Sequence, residues 1–192
     1  MDSSIANSKT DLRQKIRAQL EKISPAVRAV ESIGLCDRLK SQMPSAATVL
    51  FFAPLADELD VWPLMEASIA LGTTCALPFF DAGKQIYVAR QIEKPATEIV
   101  TGKFGVREPS SSCAEIPLEK FNLTLVPGMA FDLRGNRLGR GRGFYDRLLA
   151  AVGGIKCGVC HDGQLLPEIP VEPHDAKVDF IATPSKLLRR KV

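Results

Sequence analysis

The sequence has few aromatic residues, few histidines and little net charge. Aromatic residues make up 6% of its 192 residues, which counts against a surface that stacks single-stranded bases. A net charge of +3 is too small for bulk electrostatics to require a nucleic-acid partner. The two histidines are His161 and His174. His161 has no obvious acidic partner beyond Asp162 and is predicted to lie in a loop, so no Ser/His/Asp or Cys/His catalytic triad can be assembled.

A disulfide framework, a secretory signal and a membrane span are also missing. The five cysteines are odd in number and show no disulfide framework. Cys157 and Cys160 form a CxxC pattern in an apolar stretch, where core packing is favoured over zinc or redox chemistry. The first residues lack the apolar segment of a signal peptide, and no apolar run approaches the ~18 residues of a membrane span. We expect a soluble protein in the reducing cytoplasm.

Two N-terminal helices are predicted. After a frayed start, apolar residues at helical spacing predict a helix at about 8–23. Ser24 followed by Pro25 is typical of an N-cap and a first helical residue, and a second helix is predicted to run to about Gln42. The residues predicted to face inward on the second helix are Val27, Val30, Ile33 and Leu39.

Beyond residue 44 the pattern changes to short apolar strands that alternate with helices, which predicts one domain over 1–192 with a mainly parallel sheet covered on both faces. In such a sheet, ligands bind at the carboxyl ends of the strands. Segment 93–118 is predicted to be a long loop, suited to a lid, and 186–192 a solvated basic tail. The predicted strands are 47–52, 73–77 (closed by Pro78), 85–90 (exposed), 121–126, 155–160 and 178–182, and the predicted helices are 61–71 and 143–152.

The most informative segment joins the strand at 121–126 to the helix that begins near Gly143. Its alternating glycines let a backbone approach a ligand closely, its arginines supply planar charged donors, and the helix directs unpaired N–H groups at the loop. This combination favours a polyphosphate site over a solvated loop or a short RNA-binding tract, although it is neither a Walker A loop nor a Rossmann fingerprint. The residues concerned are Arg137, Gly139, Arg140, Gly141, Arg142, Gly143 and Arg147.

Other charged residues have both an ordinary and a functional interpretation. Lys9, Arg13 and Arg17 share one helix face, and a solvated position is favoured for Arg17. Asp146, near a helix start, could simply satisfy the helix dipole. Asp179 lies in an apolar stretch, where a carboxylate needs a metal or an arginine.

The chain resembles the 5-formyltetrahydrofolate cyclo-ligases, also called 5,10-methenyltetrahydrofolate synthetases. The resemblance rests first on the run RLGRGRGFYDR at 137–147, preceded by VPGMAFD at 126–132. Further matches extend over nearly the whole chain: Lys9, Arg13, Glu58, His174, Asp175, Asp179 and Thr183. The family usually has two tyrosines before the aspartate, whereas this chain has Phe144 and Tyr145, so any hydroxyl role at the first position is lost.

The resemblance implies a three-layer α/β fold similar to the NagB/RpiA/CoA-transferase-like group, with N-terminal helices. It also implies a ligase of one-carbon metabolism that cyclises 5-formyltetrahydrofolate to 5,10-methenyltetrahydrofolate with ATP and Mg²⁺. ADP and phosphate would be released through a phosphorylated formyl (iminium phosphate) intermediate. The partners would be these small molecules, with no nucleic acid or membrane, and we expect a monomer. A related phosphate-binding enzyme with another acceptor and a non-enzymatic RNA-binding module stay open.

Site residues are likewise implied by the resemblance, position by position. Arg142 and Tyr145 would be catalytic, Asp146 and Asp179 would hold Mg²⁺, and His174 has no assigned role. The folate would contact Glu58, Phe144 and Tyr145. ATP would contact Lys9, Arg13, Arg137, Gly139, Arg140, Gly141, Arg142, Gly143, Phe144 and Tyr145.

Overall fold

A computed structural model describes residues 3–41, 43, 47–83, 86–102, 105–141, 143–173 and 175–191. The helices are α1 (Ser3–Leu20), α2 (Pro25–Lys40), α3 (Trp62–Ala70), α4 (Pro95–Glu98) and α5 (Phe144–Ala151), with 3-10 turns at Leu118–Lys120 and Asp162–Gln164. The strands are β1 (Thr48–Leu50), β2 (Thr74–Asp81), β3 (Ile86–Ile92), β4 (Ile99–Thr101), β5 (Arg107–Pro109), β6 (Glu115–Ile116), β7 (Leu123–Pro127), β8 (Ala130–Asp132), β9 (Arg137–Leu138), β10 (Ile155–Val159), β11 (Leu165–Leu166), β12 (Phe180–Ala182) and β13 (Leu187–Arg189).

The main sheet has eight strands in the order β13-β12-β10-β7-β1-β2-β3-β6. Its five central strands, from β12 to β2, are parallel, and antiparallel strands are added at both edges. Parallel neighbours need crossover connections, which α3 and α5 supply. All the carboxyl ends of the central strands therefore lie at one edge, where the glycine and arginine loop begins.

Successive residues of the central strands alternate between two buried clusters, one on each face of the sheet. Val49 packs with α2 and α3, through Leu35 and Leu64 among others, while Leu50 packs with α5, including Leu148. This alternation follows from the two-residue period of a strand. The result is a three-layer α/β/α arrangement, as predicted.

A second, three-stranded sheet (β11-β8-β9) follows the carboxyl end of β7. Helix α1 packs on it because Ile16 and Leu20 share a buried cluster with Met129 of the β7–β8 connection and Leu138 of β9. The N-terminal helix is thereby held beside the loop that connects β9 to α5. None of the helices in the described ranges is long and apolar enough to cross a membrane.

The predicted start of α2 is confirmed, because the Ser24 hydroxyl accepts a hydrogen bond from the Val27 N–H at 3.3 Å. Its predicted buried face is wrong except for Leu39. Val27, Val30 and Ile33 are 50%, 69% and 63% exposed. The buried face carries Ser32, Leu35 and Leu39, and the two leucines, rather than the three branched residues, belong to the core cluster.

Several predicted element limits are also wrong. Helix α1 extends over Ser3–Leu20, whereas the sequence predicted a helix at about 8–23, and residues 1 and 2 of the expected frayed start lie outside the described residues. Strand β2 continues through Pro78, because pairing with β1 ends at Ala76 and the missing N–H faces no partner strand there. Strand β3 is not wholly exposed, since Val88 and Ala89 are buried.

Segment 93–118 and the C-terminal tail contain more regular structure than predicted. The segment includes α4, the β4–β5 hairpin and β6, which pairs with β3. In the tail, β13 pairs with β12, so it is not simply solvated. These elements have two to four residues each, too few for a sequence period to reveal, and distant backbone partners stabilise the strands.

Candidate active site at the glycine and arginine loop

The loop that joins β9 to α5 contains glycines that no other residue replaces without strain. Gly141 and Gly143 have φ angles of +94° and +62°, in the left-handed region that disfavours a Cβ atom. Gly139 instead allows close approach, because a Cβ atom there would lie 2.8 Å from Arg137 Nη1. The alternating glycines thus shape the backbone and make room for an arginine.

Arg137 lies beneath this loop rather than on its surface. Its Nη2 donates to Asp146 Oδ1 at 2.7 Å, and its Nη1 to the Pro127 carbonyl at 3.5 Å. The guanidinium carbon lies 5.5 Å from the centre of the Tyr145 ring. Because the Arg137 side chain is almost fully buried, it ties the end of β7 to the first turn of α5.

Arg13 reaches the loop from α1. Its Nε donates to the Gly139 carbonyl at 2.8 Å, and a Cβ atom at Gly141 would lie 3.5 Å from the guanidinium carbon. This contact brings one predicted ATP-binding residue to the loop. The helix face predicted from the four-residue spacing is correct for Arg13.

Lys9 is buried and already has two acidic partners. Its Nζ lies 2.8 Å from Glu172 Oε2 and 2.5 Å from Asp175 Oδ2. Burial lowers the pKa of Lys9, but hydrogen bonds and charge from Asp175 and Glu172 outweigh this and raise it. Lys9 therefore links α1 to the segment before β12, instead of presenting a free ammonium group at the loop.

Arg140 connects the loop with the turn after β1. Its Nη2 donates to Asp57 Oδ1 at 2.6 Å and to Glu58 Oε1 at 3.0 Å, and its Nε donates to Glu58 Oε1 at 3.2 Å. The other Glu58 oxygen accepts from the Leu55 N–H at 3.0 Å. Burial raises the pKa of Glu58, although these bonds oppose the shift. The structure thus brings together residues predicted for ATP and for folate.

An aromatic row borders the site. The Phe144 ring lies 4.7 Å from Tyr145 and 3.9 Å from Tyr87, both edge to face, and Phe80 continues the row at 4.8 Å from Tyr87. Burial, with a smaller effect of the Glu58 charge, raises the pKa of Tyr145 well above its usual range. The Tyr145 hydroxyl therefore stays protonated at neutral pH, when it can donate a hydrogen bond.

The two predicted magnesium ligands have different partners in the structure. Asp146 Oδ1 accepts from Arg137, whose other terminal nitrogen donates to the Pro127 carbonyl at the end of β7. Asp179 Oδ2 accepts from the Lys156 N–H of β10 at 3.0 Å.

Asp179 also lies 3.7 Å from Arg190 Nη2. Of the two partners that the sequence left open for Asp179, the structure therefore supplies an arginine. Over the described ranges, no cluster of three or more His, Cys, Asp or Glu side chains is placed to hold a metal ion.

Two predicted residues, Arg142 and His174, lie outside the described residues. The catalytic and ATP-binding roles expected for Arg142 stay predictions. The other histidine, His161, lies in a loop as predicted, but it is buried and has an acidic partner, since its Nδ1 lies 2.5 Å from Glu31 Oε2 of α2. The acid is 130 residues away in sequence, so no local pattern could have revealed it.

Comparison with known proteins identifies the family. The model of the 5-formyltetrahydrofolate cyclo-ligase family matches residues 5–184. The chain belongs to the 5-formyltetrahydrofolate cyclo-ligase family. It is therefore an enzyme, a ligase.

Among cyclo-ligases of this family, the protein from Mycolicibacterium smegmatis is 34% identical over 187 residues, covering 93% of this chain and 95% of the relative. The protein from Escherichia coli K12 is 35% identical over 149 residues, which cover 74% of this chain and 80% of that protein.

Solved structures support the same fold. The NMR structure of Aquifex aeolicus 5,10-methenyltetrahydrofolate synthetase has a TM-score of 0.87 and 30% identity, and the match covers 96% of this chain and 93% of that one. The Mycoplasma pneumoniae 5,10-methenyltetrahydrofolate synthetase, at 18% identity with a TM-score of 0.74, shows the fold alone and covers 96% and 99% of the two chains. The predicted three-layer α/β class is confirmed.

Three features of the site in this cyclo-ligase were not predicted from the sequence. They are the bond between Asp57 and Arg140, the placement of Tyr87 beside Phe144, and the burial of Arg137. The resemblance assigned Glu58 to the folate, but no local pattern pairs Asp57 with Arg140, which is 83 residues away in sequence. Core packing of the CxxC cysteines is confirmed, since Cys157 and Cys160 are buried free thiols.

Proposed function

We propose that this enzyme cyclises 5-formyltetrahydrofolate to 5,10-methenyltetrahydrofolate with consumption of MgATP, releasing ADP and phosphate. The observation that carries the proposal is the contact of Arg140 with Glu58. It joins a loop suited to a polyphosphate with a carboxylate suited to the N–H groups of a pterin. Two substrates bound at these two neighbouring groups would have their reacting groups close together.

The nucleotide half consists of Arg13, Arg140 and the backbone around Gly141 and Gly143. Arg13 is fixed by the hydrogen bond from its Nε to the Gly139 carbonyl. Helix α1 therefore holds the terminal nitrogens of this guanidinium beside the loop. The N–H groups at the start of α5 add a positive dipole end beside the same loop. Arg142, expected between these glycines, would add a further charge.

The folate half consists of Glu58 and the aromatic row. A carboxylate accepts two parallel hydrogen bonds, which matches adjacent N–H donors on a pterin ring. Phe144 and Tyr87 offer apolar surface against which a flat ring can pack. Tyr145 keeps its proton, so it is a candidate donor to the formyl oxygen or a phosphate oxygen, in agreement with its predicted catalytic role.

Asp146 fits a magnesium ion bound together with the nucleotide. Its carboxylate is partly exposed, and Oδ2 accepts no hydrogen bond from the described residues. Mg²⁺ is typically held by one or two carboxylates with phosphate oxygens and water, so one aspartate beside the loop suffices. When bound, the ion would supply charge neutralisation on the phosphates. The predicted second ligand, Asp179, already accepts from the Lys156 N–H and lies near Arg190.

The chemistry requires positioning more than covalent participation by the protein. The formyl oxygen attacks the γ-phosphorus, the bond to the β-phosphate oxygen breaks, and ADP leaves. N10 then attacks the formyl carbon, the bond from carbon to the phosphorylated oxygen breaks, and N10 loses its proton as phosphate departs. The arginines would stabilise charge on the transferred group, while the aromatic row would exclude water from the activated formyl carbon.

The test is a spectrophotometric assay of the purified protein with 5-formyltetrahydrofolate, ATP and Mg²⁺, following the near-ultraviolet absorbance of the methenyl product. We expect a signal that requires all three components. Nucleotide binding without product would instead favour a related enzyme with another acceptor. The cytoplasmic location, monomeric state and lack of nucleic-acid and membrane partners stay predictions.

A further inference from the structure

Asp57 is an acid of the site for which the proposed reaction has no direct use. It follows β1 and accepts a hydrogen bond from Arg140 Nη2 at 2.6 Å. The same nitrogen donates to Glu58 Oε1 at 3.0 Å, so one guanidinium bridges two neighbouring carboxylates. Because Asp57 and Arg140 are 31% and 34% exposed whereas Glu58 is 11% exposed, Asp57 holds the outer side of this contact.

This contact occupies two groups that the substrates would need. Arg140 would stabilise a nucleotide phosphate, and Glu58 would accept from the pterin N–H groups. Each is at present the other's partner, and Glu58 is largely buried, where loss of a partner is costly. Binding of either substrate must therefore replace a bond that already exists.

We propose that Asp57 is a positioning residue that holds Arg140 against Glu58 in the free enzyme and thereby couples the binding of nucleotide to the binding of folate. The inference rests on the proposed function. The first substrate to bind must break the contact, which lowers its affinity. The second substrate then binds to a group that has already been released. Such a coupling is reciprocal and has typical values of 5- to 150-fold, so we expect on the order of 10-fold.

Asp57 determines how strong the contact is without belonging to either substrate site. Removing its charge leaves Arg140 with Glu58 alone, so the contact becomes easier to break. Asp57→Asn should therefore tighten the binding of each substrate measured alone and reduce the coupling. A residue that merely shaped the turn would act in the opposite direction, because its loss would weaken binding without altering the coupling.

The experiment is titration calorimetry of 5-formyltetrahydrofolate in the presence and absence of Mg²⁺ and the non-hydrolysable β,γ-imido analogue of ATP. For the wild-type enzyme we expect the analogue to tighten folate binding about 10-fold. In Asp57→Asn the ratio should approach one, mainly because folate binds more tightly without the analogue. Asp57→Glu, which keeps the charge, should retain most of the coupling.

Glu168→Gln is the matched control, since Glu168 forms a similar pair with Arg134 at 2.8 Å but is well exposed. It should leave the ratio unchanged. An unchanged ratio in Asp57→Asn, or weaker folate binding in both conditions, would overturn the role of Asp57 while the assay still showed turnover. If the wild-type enzyme bound folate in neither condition, the proposed function would fail, and the inference with it.

Discussion

At the scale of single residues, a substitution at Gly143 separates the effect of backbone conformation from the effect of side-chain packing. Gly143 has a φ angle of +62°, and among the described residues no atom beyond its chain neighbours lies within 4 Å of the point that a Cβ atom would occupy, so backbone strain is the main obstacle to a side chain. We expect Gly143→Ala to cost about 1–2 kcal/mol of stability. It should also lower kcat by displacing the start of α5, as measured by urea unfolding and the product assay.

Gly163 provides the control for this substitution. It likewise has open space around the Cβ position, but its backbone is not in the left-handed region. Gly163→Ala should therefore leave kcat and the free energy of unfolding nearly unchanged. Equal effects of the two alanines would contradict a special backbone requirement at the loop.

The roles of individual residues could be predicted from the sequence only where chain neighbours determine them. The glycines at 141 and 143 belong to this class, because a loop of alternating glycines indicates unusual backbone angles. The burial of Arg137 does not, since it depends on Asp146 and on the Pro127 carbonyl of another strand. The partner of His161 is equally non-local, as Glu31 lies on α2.

At the scale of elements, the docking of α1 depends on Lys9. Removing the buried Lys9 charge breaks its ion pairs with Glu172 and Asp175, a loss of about 3–5 kcal/mol in comparable pairs. We expect Lys9→Met to reduce the free energy of unfolding by this order. Lys15→Met, at an exposed position of the same helix, should change it by less than about 0.5 kcal/mol.

The pH dependence provides an independent check on Lys9. Its pKa is raised above the ordinary value of 10.5, so its stabilising contribution is complete below that value and is lost as the pH rises through the folded-state pKa. The stability difference between wild type and Lys9→Met should therefore shrink at strongly alkaline pH. A difference that stays constant there would argue against the ion pair as its origin.

Elements with a clear apolar period were predicted well. Elements whose rotation or pairing depends on contacts with other parts of the chain were predicted poorly. The lengths of α2, α3 and α5 follow from apolar spacing and from the Ser24 cap. The rotation of α2 does not, because Val27, Val30 and Ile33 form an equally plausible apolar stripe and are exposed. The β4–β5 hairpin is likewise stabilised across its turn, and the lid role expected for its segment stays a prediction.

At the scale of the whole molecule, the site joins α1, the turn after β1, the loop and α5. A ligand that bridges these parts should stabilise the entire fold by about 2.7 kcal/mol at 100 times its Kd. We expect Mg²⁺ with the β,γ-imido analogue to raise the Tm of the protein by several degrees. Asp146→Asn should lose the magnesium-dependent part of that shift, while retaining the part due to the arginines.

The outcome is read by differential scanning calorimetry with the analogue alone, with Mg²⁺ alone and with both. A full magnesium-dependent shift in Asp146→Asn would exclude Asp146 as a ligand. The matched variant Asp179→Asn tests the other predicted ligand in the same assay. Asp179 accepts a hydrogen bond from the Lys156 N–H and lies near Arg190. We therefore expect Asp179→Asn to lower the Tm measured without ligands more than it lowers the increase in Tm caused by the ligands.

The sequence by itself determined the family, the three-layer α/β class and the position of the loop, because these depend on local periodicity, on glycine spacing and on a long contiguous motif. Only the tertiary structure decided which charges are free and which are paired. Lys9 and Arg140 looked alike as cations, yet one is buried between Glu172 and Asp175 and the other joins Asp57 and Glu58. The physical reason is that ion pairs form between groups far apart in the chain, and burial sets their strength.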